Sequence, residues 1–139
     1  MKLIYIILNI KKKKYKLALK DTSGQEKFKS ITKNFLRNTD GVLFIYDISY
    51  QDSFNGLKSW YKLYKNESKE VMGLLIGNKC DLEQVVNIEE AKKFAEEHGL
   101  KYLETSAKSD KNLRKAIACI LEKIIKSKEN QESEENKKN

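Results

Sequence analysis

"VMGLLIGNKCDL", residues 71–82, decides the reading of this chain. An unbroken apolar run of strand length ends at a glycine and passes directly into a polar loop carrying Asn78, Lys79 and Asp81. Strands buried on both faces have this composition, and parallel sheets bind ligands in the loops at the carboxyl ends of such strands. The pattern recurs on either side. "VLFIYD" (42–47) is a second apolar run, and "KYLE" (101–104) leads into Thr105, Ser106, Ala107 and Lys108.

Helical spacing fills the intervals. Phe54, Leu57, Tyr61 and Tyr64 share one helical stripe within residues 53–64. Asn87 followed by Glu90 has the spacing of a capping box, and Ile88, Ala91, Phe94 and Ala95 then recur until His98 and Gly99 stop the helix. Leu113, Ala116, Ile117, Ile120, Leu121, Ile124 and Ile125 form the longest stripe. Residues 3–10 and 15–19 read as two short strands around a lysine-rich turn, with Tyr15, Leu17 and Leu19 on one face. Strand and helix alternating in this order predict an α/β fold, a mostly parallel sheet with helices on both faces. Beyond Lys126, "SKENQESEENKKN" lacks apolar anchors and is expected to be a disordered polar tail over 127–139, leaving 1–126 as the domain.

Composition removes several classes of function. A chain of 139 residues with 40% hydrophobic content suits one core. The net charge of +8 comes almost wholly from lysine, since Arg37 and Arg114 are the only arginines, and base-edge recognition favours the arginine fork. Nucleic-acid binding is therefore not expected. Cys80 and Cys119 fit no ligand spacing and read as reduced thiols of an intracellular protein. "MKLIYIILNI" has a short apolar core with no small-residue cleavage site after it, so it reads as a strand rather than a signal peptide. No apolar run reaches the ~18 residues of a transmembrane helix, and a soluble chain is expected.

Three loop motifs carry a resemblance. "DTSGQE" (21–26), "NKCD" (78–81) and "ETSAK" (104–108) resemble the DxxGQ, NKxD and SAK motifs of the Ras-like small GTPases. "DTSGQEKFKSIT", "YDIS", "SFNGLKSW" and "GNKCDL" look Rab-like within that group, over about residues 15–126. The resemblance implies a P-loop NTPase fold of Ras type that binds GTP or GDP with Mg²⁺. By it, Asn78 would orient the guanine loop and Lys79 would lie over the purine. Asp81 would accept from the ring N–H and exocyclic amine, which guanine offers and adenine does not. The backbone of Ser106 and Ala107 would complete the pocket, with Lys108 beside it. At the phosphate end, Asp21 would act near Mg²⁺ through water, Gly24 would meet the γ-phosphate and Gln25 would orient the attacking water. Ser23 and Lys20 stand where the family usually has alanine and, in Rabs, tryptophan.

Such a domain opens with a strand and a G-x-x-x-x-G-K-[ST] loop ahead of DxxG. Here twenty residues precede Asp21 and none is glycine, so the first strand, phosphate loop, first helix and switch I are expected to be absent from this chain. Either the N-terminal hairpin then pairs with the strand at 42–46, or two sheet edges lie open. The turn at Lys11 and Lys12 would need positive φ where the family often has Asp-Gly.

Two functions follow from the resemblance. One is a Rab-like GTP-binding switch of vesicle trafficking, N-terminally incomplete, with effectors, an exchange factor and a GTPase-activating protein as partners. The other is a pseudo-GTPase that binds partners without nucleotide. The family hydrolyses GTP, but without the phosphate loop the 139-residue chain is expected to be inactive alone. The chain ends "ENKKN", without the prenylated cysteine common in Rabs, so it is expected to be cytoplasmic, whereas the family associates peripherally with endomembranes.

Overall fold

The computed structural model describes residues 2–22, 36–68 and 70–139. They fall into two compact units, residues 1–38 and 39–139.

The first unit contains an antiparallel hairpin of β1 (Lys2–Ile10) and β2 (Lys13–Asp21), with Ile10 opposite Lys13 and Lys2 opposite Asp21. That register leaves two residues for the turn. Lys11 and Lys12 adopt φ of 49° and 66°, as two-residue hairpin turns of the favoured hand require. Neither is glycine or asparagine, so each carries a left-handed penalty of about 1–2 kcal/mol. Tyr15, Leu17 and Leu19 are half-buried on one face, opposite Leu8, Ile6 and Ile4. The alternate face combines Tyr5 and Ile7 with Lys14, Lys16 and Ala18.

The second unit is a three-stranded parallel sheet in the order β3 (Val42–Asp47), β4 (Gly73–Asn78), β5 (Lys101–Glu104). Helices α1 (Gln51–Glu67), α2 (Ile88–Glu97) and α3 (Leu113–Lys138) connect and follow the strands. Period-two alternation sends Phe44 and Tyr46 to one face of β3, where their rings meet Tyr61, Tyr64 and Phe54 of α1 at centroid distances of 5.1–6.0 Å. Phe94 of α2 closes that layer against Phe54 and Tyr61. The opposite face of β4 and β5 presents Leu74, Ile76 and Leu103 to Ala116 and Ile120 of α3. Helices thus cover both faces, as the α/β reading required.

The hairpin and the parallel sheet are separate sheets, and among the described strands β3 pairs with β4 alone. On β3, Ile45 is 55% exposed. The polar tail departs from expectation. Helix α3 runs to Lys138 instead of ending at Lys126, with every residue from 128 onward exposed. Lys, Glu, Gln and Asn make up most of this stretch, with Ser127 and Ser133, and the first three are good helix formers. Its helicity draws on propensity and on α3 upstream, with Lys128 paired to Asp40 at 3.3 Å.

Local signals place the remaining boundaries. Asn87 caps α2, its Oδ1 accepting from the N–H groups of Glu89 at 2.9 Å and Glu90 at 3.3 Å. The Glu90 carboxylate pairs with Lys58 of α1 at 3.2 Å, which ties two helices together. Gly99 ends α2 at φ +66°, a conformation that admits glycine at little cost. Gly77 has a tighter reason: a Cβ there would lie 2.8 Å from the Tyr102 hydroxyl and 2.9 Å from that of Tyr46.

Candidate functional site

The carboxyl ends of β3, β4 and β5 converge on one group of polar side chains. β4 delivers Asn78 as its last residue, and the chain turns over Lys79, which takes φ +62°. Backbone bonds fix the turn: Leu82 N–H donates to Lys79 at 2.9 Å, and Cys80 N–H donates to Thr105 on the next loop at 3.0 Å. The Thr105 N–H in turn donates to Gly77 at 2.9 Å. A bridge between Ser106 and Lys111 holds the 106–111 loop, with bonds of 3.1 and 3.0 Å.

Side chains join the two loops. The Ser106 hydroxyl, fully buried, donates to Asp81 Oδ1 at 2.7 Å. Asn78 Oδ1 accepts from the Thr105 hydroxyl at 3.0 Å and from the Ala107 N–H at 3.3 Å. Between the loops lies a cavity of about 370 Å³ lined by Asn78, Lys79, Asp81, Leu82, Ala107 and Lys108. Five of the six residues read from sequence for the guanine end line it, and the sixth, Ser106, holds its carboxylate from behind.

Charge in the cavity suits a base that offers N–H donors. The Ser106 hydroxyl lowers the Asp81 pKa, with Lys108 and Lys79 adding to the effect, so the group is a carboxylate at neutral pH and accepts only. One Oδ1 lone pair is taken by Ser106, leaving Oδ2 and the second Oδ1 lone pair for two parallel N–H groups. Guanine presents such a pair at N1 and its 2-amino group, whereas adenine presents an acceptor at N1.

Asp47, at the end of β3, was not singled out from sequence as a site residue. Its Oδ2 pairs with Lys79 Nζ at 2.8 Å. Its Oδ1 accepts from the N–H and hydroxyl of Ser49 at 2.9 and 2.6 Å. The Lys79 ammonium and the Ser49 hydroxyl together hold its carboxyl down to about pKa 2. Polar residues closing three adjacent parallel strands were the signal that could have found it.

This carboxyl carries a pH prediction. Its folded pKa of about 2 lies below the ordinary 3.8, so its stabilisation is complete above pH ~4 and disappears as pH falls through about 2. Asp47→Asn should be less stable than the parent in urea near neutrality. The gap should close by pH about 2, where the parent carboxylate is itself protonated. Trp60 fluorescence reports the second unit, and a gap independent of pH would refute the role of the ion pair.

Asp21 is the last residue of β2 and faces Lys2 in the hairpin register. Gly24 and Gln25 lie outside the described residues, as does Ser23. No group of three or more potential metal ligands occurs among the described residues. Among the same residues, no helix is long and apolar enough to cross a membrane.

A polar-lined cavity at the carboxyl ends of a parallel sheet, with helices on both faces, has the placement of a ligand site in an open α/β fold. Comparison with known proteins narrows it. The family model described as Ras family matches residues 4–126, and the chain belongs to that family. It is similar to the bovine (Bos taurus) Ras-related protein Rab-13, 43% identical over 121 residues covering 85% of this chain and 60% of that protein. Ras-related protein Rab-2B of Dictyostelium discoideum is 45% identical over 125 residues, 88% of this chain and 62% of that protein. Ras-related protein RIC1 of Oryza sativa is 42% identical over 115 residues, 81% and 57%. The chain thus spans about 60% of the length of the curated relatives it matches.

Proposed function

We propose that this chain carries the guanine-recognising part of a Rab-type GTP-binding switch in vesicle trafficking. One observation bears most of the weight: Asp81, ionised and oriented by Ser106, lines a cavity that Ala107 and Lys108 also line. The Rab relatives named above support the trafficking role. Exchange factor, GTPase-activating protein and effectors are the partners the reading implies, on the cytoplasmic side of endomembranes.

Each residue has a task in this reading. Asp81 selects guanine over adenine through its two acceptor positions. Asn78, whose carbonyl accepts from Thr105 and Ala107, ties the two loops together. The Lys79 stem lies along the cavity, its ammonium anchored by Asp47. Asp21, Gly24 and Gln25 are assigned to Mg²⁺, the γ-phosphate and the attacking water from the resemblance. Bound Mg²⁺ would supply charge neutralisation at the phosphates.

Saturation-transfer NMR with the free nucleosides tests the base assignment on the 139-residue chain. Guanosine at millimolar concentration should receive magnetisation and shift the amides of 78–82 and 106–108, and adenosine should do neither. Equal responses to the two nucleosides would remove the basis for the assignment.

A further inference from the structure

The hairpin concentrates charge to a degree that the base site does not explain. Residues 2–22 contain seven lysines and one acidic residue, Asp21. Lys11, Lys12, Lys13 and Lys14 are all exposed at its tip. Beside them, on the face that β2 fills with Lys14 and Lys16, β1 presents Tyr5 at 56% and Ile7 at 65% exposure. The Lys16 ammonium sits 4.4 Å from the Tyr5 ring centroid, so aromatic and cation occur at one level. A strand face with Tyr5 and Ile7 on one strand and lysines on the other and at the turn is amphipathic in the manner of interfacial membrane-binding segments.

We propose that this face of the hairpin docks on an anionic lipid surface, with Tyr5 and Ile7 entering the headgroup region and the tip lysines contacting lipid phosphates and carboxylates. Charge complementarity selects this occupant. Every cation here is a lysine, a flexible point charge that suits a fluid array of anions and lacks the fork that fixes a carboxylate on a folded partner. Nucleic acid fits less well, because Tyr5 is the only aromatic on this face and its ring is already covered by Lys16. Ile7 has no stacking surface, whereas acyl and headgroup carbons accept it without matched shape. The inference does not depend on nucleotide binding.

The turn itself supplies a clean test. Lys11→Asn with Lys12→Gly removes two charges and installs the Asn-Gly pair that positive φ favours, so the hairpin is if anything stabilised. Cosedimentation would compare phosphatidylcholine vesicles with vesicles containing about 30% phosphatidylserine, at about 0.1 M and about 0.5 M salt. The parent chain should bind the anionic vesicles only and release them at high salt. The turn variant should bind about tenfold more weakly. Ile7→Ser should lose about three- to tenfold, and Lys137→Gln with Lys138→Gln in the exposed end of α3 should change nothing. Equal binding to neutral vesicles, full binding by the turn variant, or dependence on the α3 lysines would each overturn the proposal. So would binding to an RNA oligomer or polyglutamate with none to vesicles.

Discussion

Asp81→Ala, in a chain extended upstream of residue 1 with the phosphate-binding segment of a Rab relative, is expected to weaken GTP by roughly five- to 150-fold and leave ATP unaffected. In the proposed reading the carboxylate would accept from two guanine donors, whereas the Asn78 carbonyl is already engaged by Thr105 and Ala107. Removing it leaves the guanine N1–H and amine unpaired in a site built to receive them, a penalty that falls on guanine alone. Asp81→Asn should discriminate further. Its amide would turn an N–H₂ toward one of two guanine donors, whereas a purine carrying a carbonyl in place of the 2-amino group would meet one donor and one acceptor. Displacement of a fluorescent GTP analogue by GTP, ATP and xanthosine triphosphate measures all three. An unchanged GTP-to-ATP ratio in the alanine variant would show that Asp81 does not read the base.

That site was legible in the sequence because its chemistry is local to two short loops. Asn78, Lys79 and Asp81 occupy one turn, and Ser106, Ala107 and Lys108 another, each directly after an apolar strand. Parallel pairing of β4 with β5, Gly77 opposite Glu104, brings the two loops side by side. Asp47 escaped notice because its partner, Lys79, is thirty-two positions away and the contact depends on β3 lying beside β4 in register. Nothing local to "YDIS" specifies that neighbour.

The same division applies to the fold. The α1 stripe of Phe54, Leu57, Tyr61 and Tyr64 is buried as its spacing required, and Asn87 caps α2. "VLFIYD" was read as buried on both faces, yet Ile45 is largely exposed while Phe44 and Tyr46 are not. An apolar run records what a strand can bury, whereas the neighbours present decide what it does bury. The end of α3 illustrates the converse, since a stretch without apolar residues still continues the helix that precedes it.

The largest contrast is expected between the 139-residue polypeptide and the extended chain when each is titrated with GTP. The polypeptide should bind GTP no more tightly than guanosine, while the extended chain should prefer GTP by at least roughly a thousandfold, about 4 kcal/mol. Backbone N–H groups at a helix N-terminus, a lysine and Mg²⁺ provide most of a triphosphate's binding energy in phosphate-loop proteins. No G-x-x-x-x-G-K-[ST] run occurs in these 139 residues. What the proposed reading assigns to the second unit is recognition of a base edge: Asp81 and Asn78 would reject adenine without holding four negative charges. Of the two lysines lining the cavity, Lys79 is already paired with Asp47 at 2.8 Å. Isothermal titration with guanosine, GDP and GTP, with and without Mg²⁺, separates the contributions. In the extended chain, Gln25→Ala should retain GTP affinity and lose hydrolysis, since the residue is assigned to the attacking water and not to the ligand. Mg²⁺-dependent micromolar binding of GTP by the 139-residue polypeptide would mean that its own residues, Asp21 and the segment after it foremost, form a phosphate site without that loop.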